Sequence, residues 1–389
     1  MNNKFFFKCI GYFIMAISFY LNYLFPINDK KILLIMTHDT SEEGNVGSTY
    51  QYFKQQDQDL KFKKITRENY TFVLNKNLFK NLIYMFIKIP YHIVTSKIIF
   101  MDNVFLPFAF IKVKKNTHLV QLWHGTGTLK KFGLDTEAGW VKKLAKAANN
   151  NTNYFIVGSH YMKEIYKTAF GAGDDKIVNI GCPRTDMFFN KNLIQEKKEE
   201  FFKVYPDLFG KKIILYAPTF RNNENMSEEI KINLDIHKLI YSLDEKYILG
   251  LRLHPHLADR FNLNKNSYGS SNPRVIDFSN YEKLNTLLIS CDILITDYSS
   301  IIYEYALMEK PMIFYCYDLD KYEKLDRGFY GNYKSIVPGP IAFQTEEIVN
   351  IINNPQTNDN IESFLNTYLQ NCEGKSRRRL YNFLMNTKK

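Results

Sequence analysis

The stretch that most constrains the fold of this chain is 292–317, which reads DILITDYSSIIYEYALMEKPMIFYCY. Its first five residues, 292–296, are a short apolar run typical of a buried strand. The segment 301–309 repeats apolar residues at helical spacing, and 312–317 is a second apolar run. The stretch therefore predicts a β-α-β unit, whose crossover is expected to be right-handed.

A polar turn, Asp297-Tyr298-Ser299-Ser300, joins this strand to this helix. Ser299 and Ser300 stand where an N-cap is expected. The free N–H groups and the positive end of a helix that follows a strand favour an anion, typically a phosphate. An ordinary capped helix of an α/β protein explains the same pattern equally well.

Two series of apolar runs alternate with helical segments along the chain, as in doubly wound α/β domains. The first series of strands is predicted at 31–36, 98–101, 119–122, 155–158 and 177–180. The second is predicted at 213–217, 247–253, 274–278 and in the unit described above. A charge-rich helical stretch, 190–205, separates them. We therefore predict a hydrophobic N-terminal segment, 1–28, followed by domains 29–200 and 201–389.

Polar residues follow the predicted strands repeatedly. His124 comes directly after one strand and precedes Gly125 and Thr126, while His254 follows another. Ligands of open α/β sheets bind outside the carboxyl ends of the strands. Two such domains, each with a histidine at a strand end, suggest a cleft between them.

The chemistry that fits these side chains is the transfer of a phosphorylated group. Arg221 and Arg252 supply cations for a diphosphate, and Ser299 and Ser300 supply hydroxyl donors. A histidine supplies the base that takes a proton from an attacking hydroxyl. A lone histidine is more often structural, so this argument depends on the whole set.

The charge and the aromatic content point to an anionic membrane surface. The formal net charge is +11, and aromatic residues make up 15% of the chain. The uncharged segment 9–28 has ~20 residues, just enough to span a bilayer. A helix lying in the interface, a cleaved signal peptide and a buried core helix are the alternatives for it. A second stretch, 72–97, reads as a basic amphipathic helix on the membrane or as a surface helix docked on the sheet.

The chain lacks the motifs that mark several other functional classes. The chain has no Walker A sequence, no GxGxxG after a strand, no HExxH and no GxSxG. His254 and His256 have no acidic or cysteine partner at ligand spacing, so no metal site is predicted. The five scattered cysteines read as reduced thiols in a cytosolic setting. The positive charge would suit nucleic acid, but no reading motif is present, and no nucleic-acid partner is expected.

Six motifs together resemble those of the CDP-glycerol glycerophosphotransferases, which build wall teichoic acid in Gram-positive bacteria. In chain order they are WHGTGTLKKFG (123–133), GCPRTD (181–186), YAPTFR (216–221), RLHPH (252–256), TDYSSIIYEYALMEKP (296–311) and DRGFY (326–330). The resemblance extends from about residue 98 to the C-terminal tail. As a set the motifs are highly specific, although no single one is.

The resemblance implies a GT-B-like α/β fold, with two Rossmann-like doubly wound domains facing a cleft and the nucleotide bound mainly by the second. It implies attachment to the cytoplasmic side of the cell membrane and an acceptor linked to polyprenyl diphosphate. No cofactor is required by it, although diphosphate chemistry often recruits Mg²⁺. It leaves open an association with other enzymes of teichoic acid synthesis.

The resemblance also assigns roles to residues. The histidines of the WHG and HP motifs are implied to be required, and these are His124 and His254. We expect His124 to be the general base on the acceptor hydroxyl and His254 to help hold the diphosphate as CMP leaves. The remaining residues of the expected site bind substrate: Gly125, Thr126, Arg221, Arg252, Asp297, Ser299, Ser300 and Glu304. Among these, Glu304 is expected at the ribose, and Asp297 either binds ligand or orients the turn.

The resemblance favours the priming enzyme, which adds the first glycerol phosphate to a lipid-linked ManNAc-GlcNAc disaccharide. The single-domain length, the hydrophobic N-terminus and the LKKFG after the WHG motif support it. A chain-extending glycerol- or ribitol-phosphate transferase is the alternative. A GT-B nucleotide-sugar glycosyltransferase and a non-catalytic membrane scaffold are more distant ones.

Overall fold

The computed structural model describes residues 3–70, 78–219, 232–253, 272–355 and 360–386. They form two compact units. The first unit comprises Met1–Thr126, Lys131–Asp186 and Tyr368–Lys389, and the second comprises Gly127–Lys130 and Met187–Thr367. Each has its own six-stranded sheet, which confirms the prediction of two Rossmann-like α/β domains. That they face a cleft stays a prediction.

The sheet of the first unit is parallel throughout and has the strand order β2-β1-β3-β4-β5-β6. Its strands are β1 Asn28–Met36, β2 Lys61–Thr66, β3 Ser96–Met101, β4 His118–Gln121, β5 Tyr154–Val157 and β6 Ile177–Asn179. Residues 32–36 of β1 are all buried, because a parallel sheet is covered by helices on both faces.

The sheet of the second unit is also parallel, with the order β12-β11-β10-β7-β8-β9. Its strands are β7 Lys212–Ala217, β8 Tyr247–Leu251, β9 Val275–Asp277, β10 Ile293–Thr296, β11 Met312–Tyr315 and β12 Ile341–Ala342. Counted from β7, this is the strand order of a Rossmann fold, in which the direction of winding reverses between the first and fourth strands.

Helices connect the strands of both units. Those of the first unit are α1 Asn3–Leu21, α2 Asn45–Gln56, α3 Arg67–Tyr70, α4 Leu78–Ile83, α5 Ile89–Thr95, α6 Gly139–Asn151 and α7 His160–Ala169. A π-helical turn, Tyr84–Lys88, joins α4 to α5. The helices of the second unit are α8 Lys191–Val204, α9 Ile236–Tyr241, α10 Leu284–Ser290, α11 Ile301–Ala306, α12 Leu319–Leu325, α13 Tyr333–Ile336, α14 Thr345–Asn353 and α15 Ile361–Tyr368. A last helix, α16 Ser376–Met385, belongs to the first unit.

The β-α-β unit predicted from 292–317 is present as β10, α11 and β11, with β10 and β11 paired in parallel. The helix is shorter than predicted, since it ends at Ala306 rather than at Glu309. Glu309 has a φ of 54°, in the left-handed region, which is incompatible with a continuing α-helix.

The N-terminal hydrophobic segment forms helix α1, one face of which is buried. Met15, Ala16 and Phe19 belong to a core cluster that also contains Ile89 and Ile93 of α5. Among the described residues, no helix combines the length and the hydropathy required to cross a bilayer. The expectation that 9–28 spans the membrane therefore has no support, and this stretch does not form one helix, because α1 ends at Leu21 and β1 begins at Asn28.

The basic residues near the C-terminus, 377–379, belong to helix α16. Leu380 and Leu384 are buried in the same core cluster as Ile32, Leu34 and Phe53 of the first unit. The boundaries of the compact units thus differ from the predicted domains at both ends of the second domain. The second unit begins after Asp186 rather than near residue 200, and Tyr368–Lys389 belongs to the first unit.

Candidate functional site

The second unit has a cavity of about 420 Å³ at the carboxyl ends of β7, β8 and β10. Its lining includes Ala217–Thr219 after β7, Arg252 and Leu253 after β8, and Ser299–Ile301 after β10. The strand order of this sheet reverses between β7 and β10, which is where open α/β sheets bind their ligands. The volume is within the range of small-molecule sites.

Arg252 is held in place by the loop after β9. Its Nη1 donates to the main-chain oxygens of Phe278 at 2.8 Å and Ser279 at 3.3 Å, and also to that of Tyr281. Burial lowers the pKa of Arg252, yet a guanidinium stays charged at any physiological pH. The structure therefore fixes one predicted cation at the wall of the cavity.

Ser299 and Ser300 line the cavity, but the turn does not cap the helix through Ser300. The Ser300 side chain makes no capping hydrogen bond, and its backbone is already helical, with φ −73° and ψ −7°. Ser299 Oγ accepts only a long bond of 3.5 Å from the N–H of Ile301. The two hydroxyls are thus presented to the cavity rather than used as a helix cap.

Asp297 and Glu304 do not line this cavity. Asp297 is 2% exposed, and its Oδ1 accepts the N–H groups of Thr219 at 2.8 Å and Tyr298 at 2.6 Å. It thereby holds the loop after β7 against the loop after β10. Glu304 is 5% exposed on α11. Of the two roles expected for Asp297, this geometry fits the orientation of the turn.

Two cations that sequence reasoning missed also line the cavity. Lys130 is brought to it by an antiparallel bridge to Phe329, and its Nζ donates to the Tyr322 hydroxyl at 3.3 Å. Arg327 lies beside Asp326, with 3.9 Å between its Nε and the carboxylate. Both residues stand within motifs quoted above, LKKFG and DRGFY, but a role in binding could not be inferred from them without the bridge.

Close packing excludes any side chain at Gly127, which follows the WHG motif. A β-carbon at this position would come within 2.3 Å of the Tyr303 ring. The segment Gly127–Lys130 belongs to the second unit, although residues on both sides belong to the first. The glycine thus allows this segment to lie against α11. Lys130, at the end of the segment, lines the cavity.

The second group of candidate residues lies in the first unit, around His124. The strand order of this sheet reverses between β1 and β3, and loops from both strands meet at His124. Its Nδ1 lies 3.0 Å from the main-chain oxygen of Asp102, which follows β3. His38, from the loop after β1, stacks on the imidazole at 3.7 Å between ring centroids, with 7° between the planes.

This hydrogen bond fixes the tautomer of His124. A carbonyl oxygen only accepts, so Nδ1 carries the proton and Nε2 keeps a lone pair. The pKa of His124 is lowered to about 3, first by burial and then by the charges of His38 and Arg184. Asp39 and the bond to Asp102 act in the opposite direction. The ring is therefore neutral at physiological pH.

The backbone around His124 is strained and strongly supported. Trp123 has a φ of 58°, a conformation that a residue with a bulky side chain rarely adopts. The buried Asn45 amide donates to the main-chain oxygens of Leu122 and Trp123, and Arg184 Nη1 donates to that of His124 at 2.8 Å. Strain maintained in this way is typical of functional sites.

The other predicted residues have the following locations. Gly125 is half-buried and Thr126 is buried, and the Thr126 main-chain oxygen accepts a hydrogen bond from Cys182 Sγ at 3.6 Å. Arg221 and His254 lie outside the described residues, so their roles stay predictions. Within the ranges that the structure describes, no group of three or more His, Cys, Asp or Glu side chains is arranged to hold a metal ion.

Comparison with known proteins adds a family and a fold. A family model described as CDP-glycerol:poly(glycerophosphate) glycerophosphotransferase matches residues 17–386. The teichoic acid glycerol-phosphate primase of Bacillus subtilis is 33% identical, with 97% of each chain covered. The teichoic acid ribitol-phosphate primase of Bacillus spizizenii is 32% identical, with 94% of this chain and 93% of the primase covered.

A longer relative is similarly close in sequence. The teichoic acid poly(ribitol-phosphate) polymerase of Bacillus spizizenii is 34% identical over 92% of this chain, which spans only 56% of the polymerase. Among solved structures, the wall teichoic acid polymerase TagF has a TM-score of 0.76 at 23% identity, over 96% of this chain and 93% of the other. A UDP-GlcNAc 2-epimerase from Neisseria meningitidis has a TM-score of 0.55 at 13% identity, over 92% and 100%. At such identities the structural likeness shows the fold alone.

Proposed function

The chain belongs to the CDP-glycerol:poly(glycerophosphate) glycerophosphotransferase family and is a transferase of teichoic acid synthesis, and on this basis we propose its substrates. The donor is CDP-glycerol, and the acceptor is a ManNAc-GlcNAc disaccharide linked to polyprenyl diphosphate. One glycerol phosphate is transferred to the acceptor, and CMP is released.

The observation that carries the proposal is the cavity at the strand-order reversal of the second unit. Among the residues that the structure describes, three cationic side chains line it, Lys130, Arg252 and Arg327, against one acidic side chain, Asp326. Ser299 and Ser300 add two hydroxyl donors. Cations and hydroxyls fixed before the substrate arrives stabilise a diphosphate and the charge that develops on the leaving phosphate. We therefore assign the CDP moiety to this cavity.

His124 is the proposed general base. The acceptor hydroxyl oxygen forms a bond to the phosphorus that carries glycerol, and the bond from this phosphorus to the oxygen of CMP breaks. The hydroxyl proton passes to His124 Nε2, the nitrogen that the bond to Asp102 leaves with a lone pair. We propose that His254 and Arg221, which lie outside the described residues, bind the diphosphate as CMP leaves.

A pKa of about 3 is low for a base that works near neutral pH. The substrate itself changes this balance. An anionic diphosphate brought near His124 favours the protonated imidazole and raises its pKa, as opposite charges do. Without substrate, His124 is therefore neutral and can accept a proton, and we expect substrate binding to increase its basicity.

The priming step is supported by full-length similarity to the glycerol-phosphate primase. The ribitol-phosphate primase and a poly(glycerol phosphate) polymerase match over similar shares of this chain. A chain-extending enzyme or a CDP-ribitol donor is therefore the second candidate.

We also propose attachment to the cytoplasmic face of the cell membrane, as a peripheral or monotopic protein. Helix α1 and the residues after it carry several exposed large apolar side chains, among them Phe7, Phe13, Leu21 and Leu24. Phe79 and Ile87, from the second stretch predicted to contact membrane, are also exposed. Helix α1 packs against the π-helical turn and α5, so both stretches belong to one region of the first unit. A group of exposed apolar side chains on neighbouring helices is typical of an interaction surface.

The function is tested by mass spectrometry of the product formed from CDP-glycerol and a synthetic lipid-linked disaccharide. A single added glycerol phosphate is the expected product. A ladder of additions, or activity only on an acceptor that already carries one unit, would identify a chain-extending enzyme. Turnover with CDP-ribitol but not with CDP-glycerol would overturn the donor assignment.

A further inference from the structure

Asp102, directly after β3, has a carboxylate that holds the loop after β1. It is 1% exposed. Its Oδ1 accepts the N–H of Thr37 at 2.9 Å, and its Oδ2 accepts the N–H groups of His38 at 2.9 Å and Asp39 at 2.7 Å. The Thr37 hydroxyl adds a bond of 3.3 Å to Oδ1. Three successive main-chain donors of one loop thus converge on one buried carboxylate.

This arrangement requires a carboxylate rather than any polar side chain. Three N–H donors need acceptors at both oxygens, and an ionised carboxylate has no donor that would oppose them. An asparagine has the same shape, but its amide NH₂ would face an N–H at one of the two positions. A buried donor left without an acceptor costs about 1–3 kcal/mol.

The same residue also holds the imidazole of His124. The main-chain oxygen of Asp102 accepts the Nδ1 proton, which leaves Nε2 as the acceptor. The loop that the carboxylate holds carries His38, whose ring stacks on His124. His38 itself is exposed, so its position over His124 depends on the fixed backbone of its loop.

We propose that Asp102 is a positioning residue for the general base, acting on His124 through its main-chain oxygen and through the His38 loop that its carboxylate immobilises. This inference rests on the proposed function, in which His124 takes the proton from the acceptor. The main-chain oxygen sets the tautomer. The carboxylate keeps His38 against one face of the imidazole and so restricts the direction in which Nε2 points.

The test compares Asp102→Asn with the wild-type full-length enzyme. We expect kcat to fall about tenfold to a hundredfold, as small misplacements of catalytic groups do, with an unchanged KM for CDP-glycerol. The ¹⁵N spectrum of labelled His124 is expected to show the Nδ1-protonated tautomer in both proteins, because the substitution leaves the main-chain oxygen of Asp102 in place. Asp174→Asn is the matched control, because this carboxylate of the first unit makes only exposed ion pairs with Lys163 and Lys167.

A second pair of variants tests the loop without disturbing the buried carboxylate. His38→Ala removes the stacked ring at an exposed position and is expected to lower kcat, whereas His38→Phe, which keeps an aromatic ring, is expected to restore most of the loss. Equal impairment of both variants would overturn the stacking route. Unchanged kcat in Asp102→Asn, with or without lower stability, would overturn the inference as a whole.

His124→Gln separates this inference from the proposed function. If His124→Gln is inactive while Asp102→Asn is fully active, the function stands and only the positioning role fails. If His124→Gln retains full transfer activity, the proposed base is wrong, and the role of Asp102 fails with it.

Discussion

The cationic residues that line the cavity differ in how much of the surrounding structure depends on them. Arg252 commits one nitrogen to three main-chain oxygens, so its removal would disturb the loop after β9 as well as the cavity. Lys130 has a different support. Its backbone is held by the bridge to Phe329, and its ammonium contacts the Tyr322 hydroxyl at the cavity wall. Lys130 is therefore the cleaner probe of donor binding.

We expect Lys130→Met to weaken the binding of CDP-glycerol about tenfold, which corresponds to ~1.4 kcal/mol. The methionine keeps the apolar stem of the side chain and removes the charge that attracts the diphosphate. Binding is measured by isothermal titration with CDP-glycerol alone. Lys131→Met is the matched control, because Lys131 is the adjacent exposed lysine and does not line the cavity. Equal loss in both variants would indicate general electrostatic attraction and would contradict a specific role for Lys130.

At the scale of elements, helix α16 joins the end of the chain to the first unit. The buried Leu380 and Leu384 pack in one cluster with β1, and Tyr381 contacts Phe53 of α2 edge to face, with 4.9 Å between the ring centroids. The Asp186 carboxylate accepts the main-chain N–H groups of Ser376 and Arg377, both at 2.9 Å, at the beginning of α16. The helix is thus part of the hydrophobic core and its start is fixed by a buried carboxylate.

Leu380→Ala is expected to reduce the free energy of unfolding by about 2–5 kcal/mol, because it leaves a cavity among side chains that cannot fully collapse. Denaturant-induced unfolding of the full-length protein measures the change. Arg378→Ala, an exposed position on the same helix, is expected to change stability by no more than about 0.5 kcal/mol. Similar stability of the two variants would contradict the conclusion that α16 is part of the hydrophobic core.

The helices and strands differ in how well the sequence predicts them. β10, α11 and β11 are encoded locally, in two apolar runs and a helical repeat, and the sequence located all three to within a few residues. Helix α2 has no such local signal, because its buried residues include Asn45, Ser48 and Thr49 and give no apolar periodicity. The contacts of Asp102 with the loop after β1 and of Lys130 with Phe329 join residues far apart in the sequence. No local pattern indicates them.

At the scale of the whole molecule, the positive charge and the exposed apolar side chains support the same proposal. The formal net charge is +11, which would favour an anionic surface, and aromatic and aliphatic side chains along α1 are exposed. Electrostatic attraction of this kind is screened by salt, with a Debye length of about 10 Å at 0.1 M.

We expect the purified protein to bind vesicles of phosphatidylglycerol and phosphatidylethanolamine in a flotation assay, and to bind them less as salt is added. The double variant Phe7→Glu/Phe13→Glu is expected to lose most of this binding, because it places charge among the apolar side chains. Phe209→Glu is the control, since Phe209 is 78% exposed in the second unit. Retention of binding by the double variant, or its loss by the control, would contradict attachment through α1.

Whether His124 is the base of a glycerol-phosphate transfer is decided by measuring CMP release from CDP-glycerol in the presence of the lipid-linked disaccharide, with wild-type protein and with His124→Gln. We expect acceptor-dependent CMP release by the wild type and a loss of about 10²–10⁴-fold in turnover in the variant, with the binding of CDP-glycerol unchanged. Turnover by His124→Gln close to that of the wild type would contradict this role, and so would an absence of CMP release by the wild type.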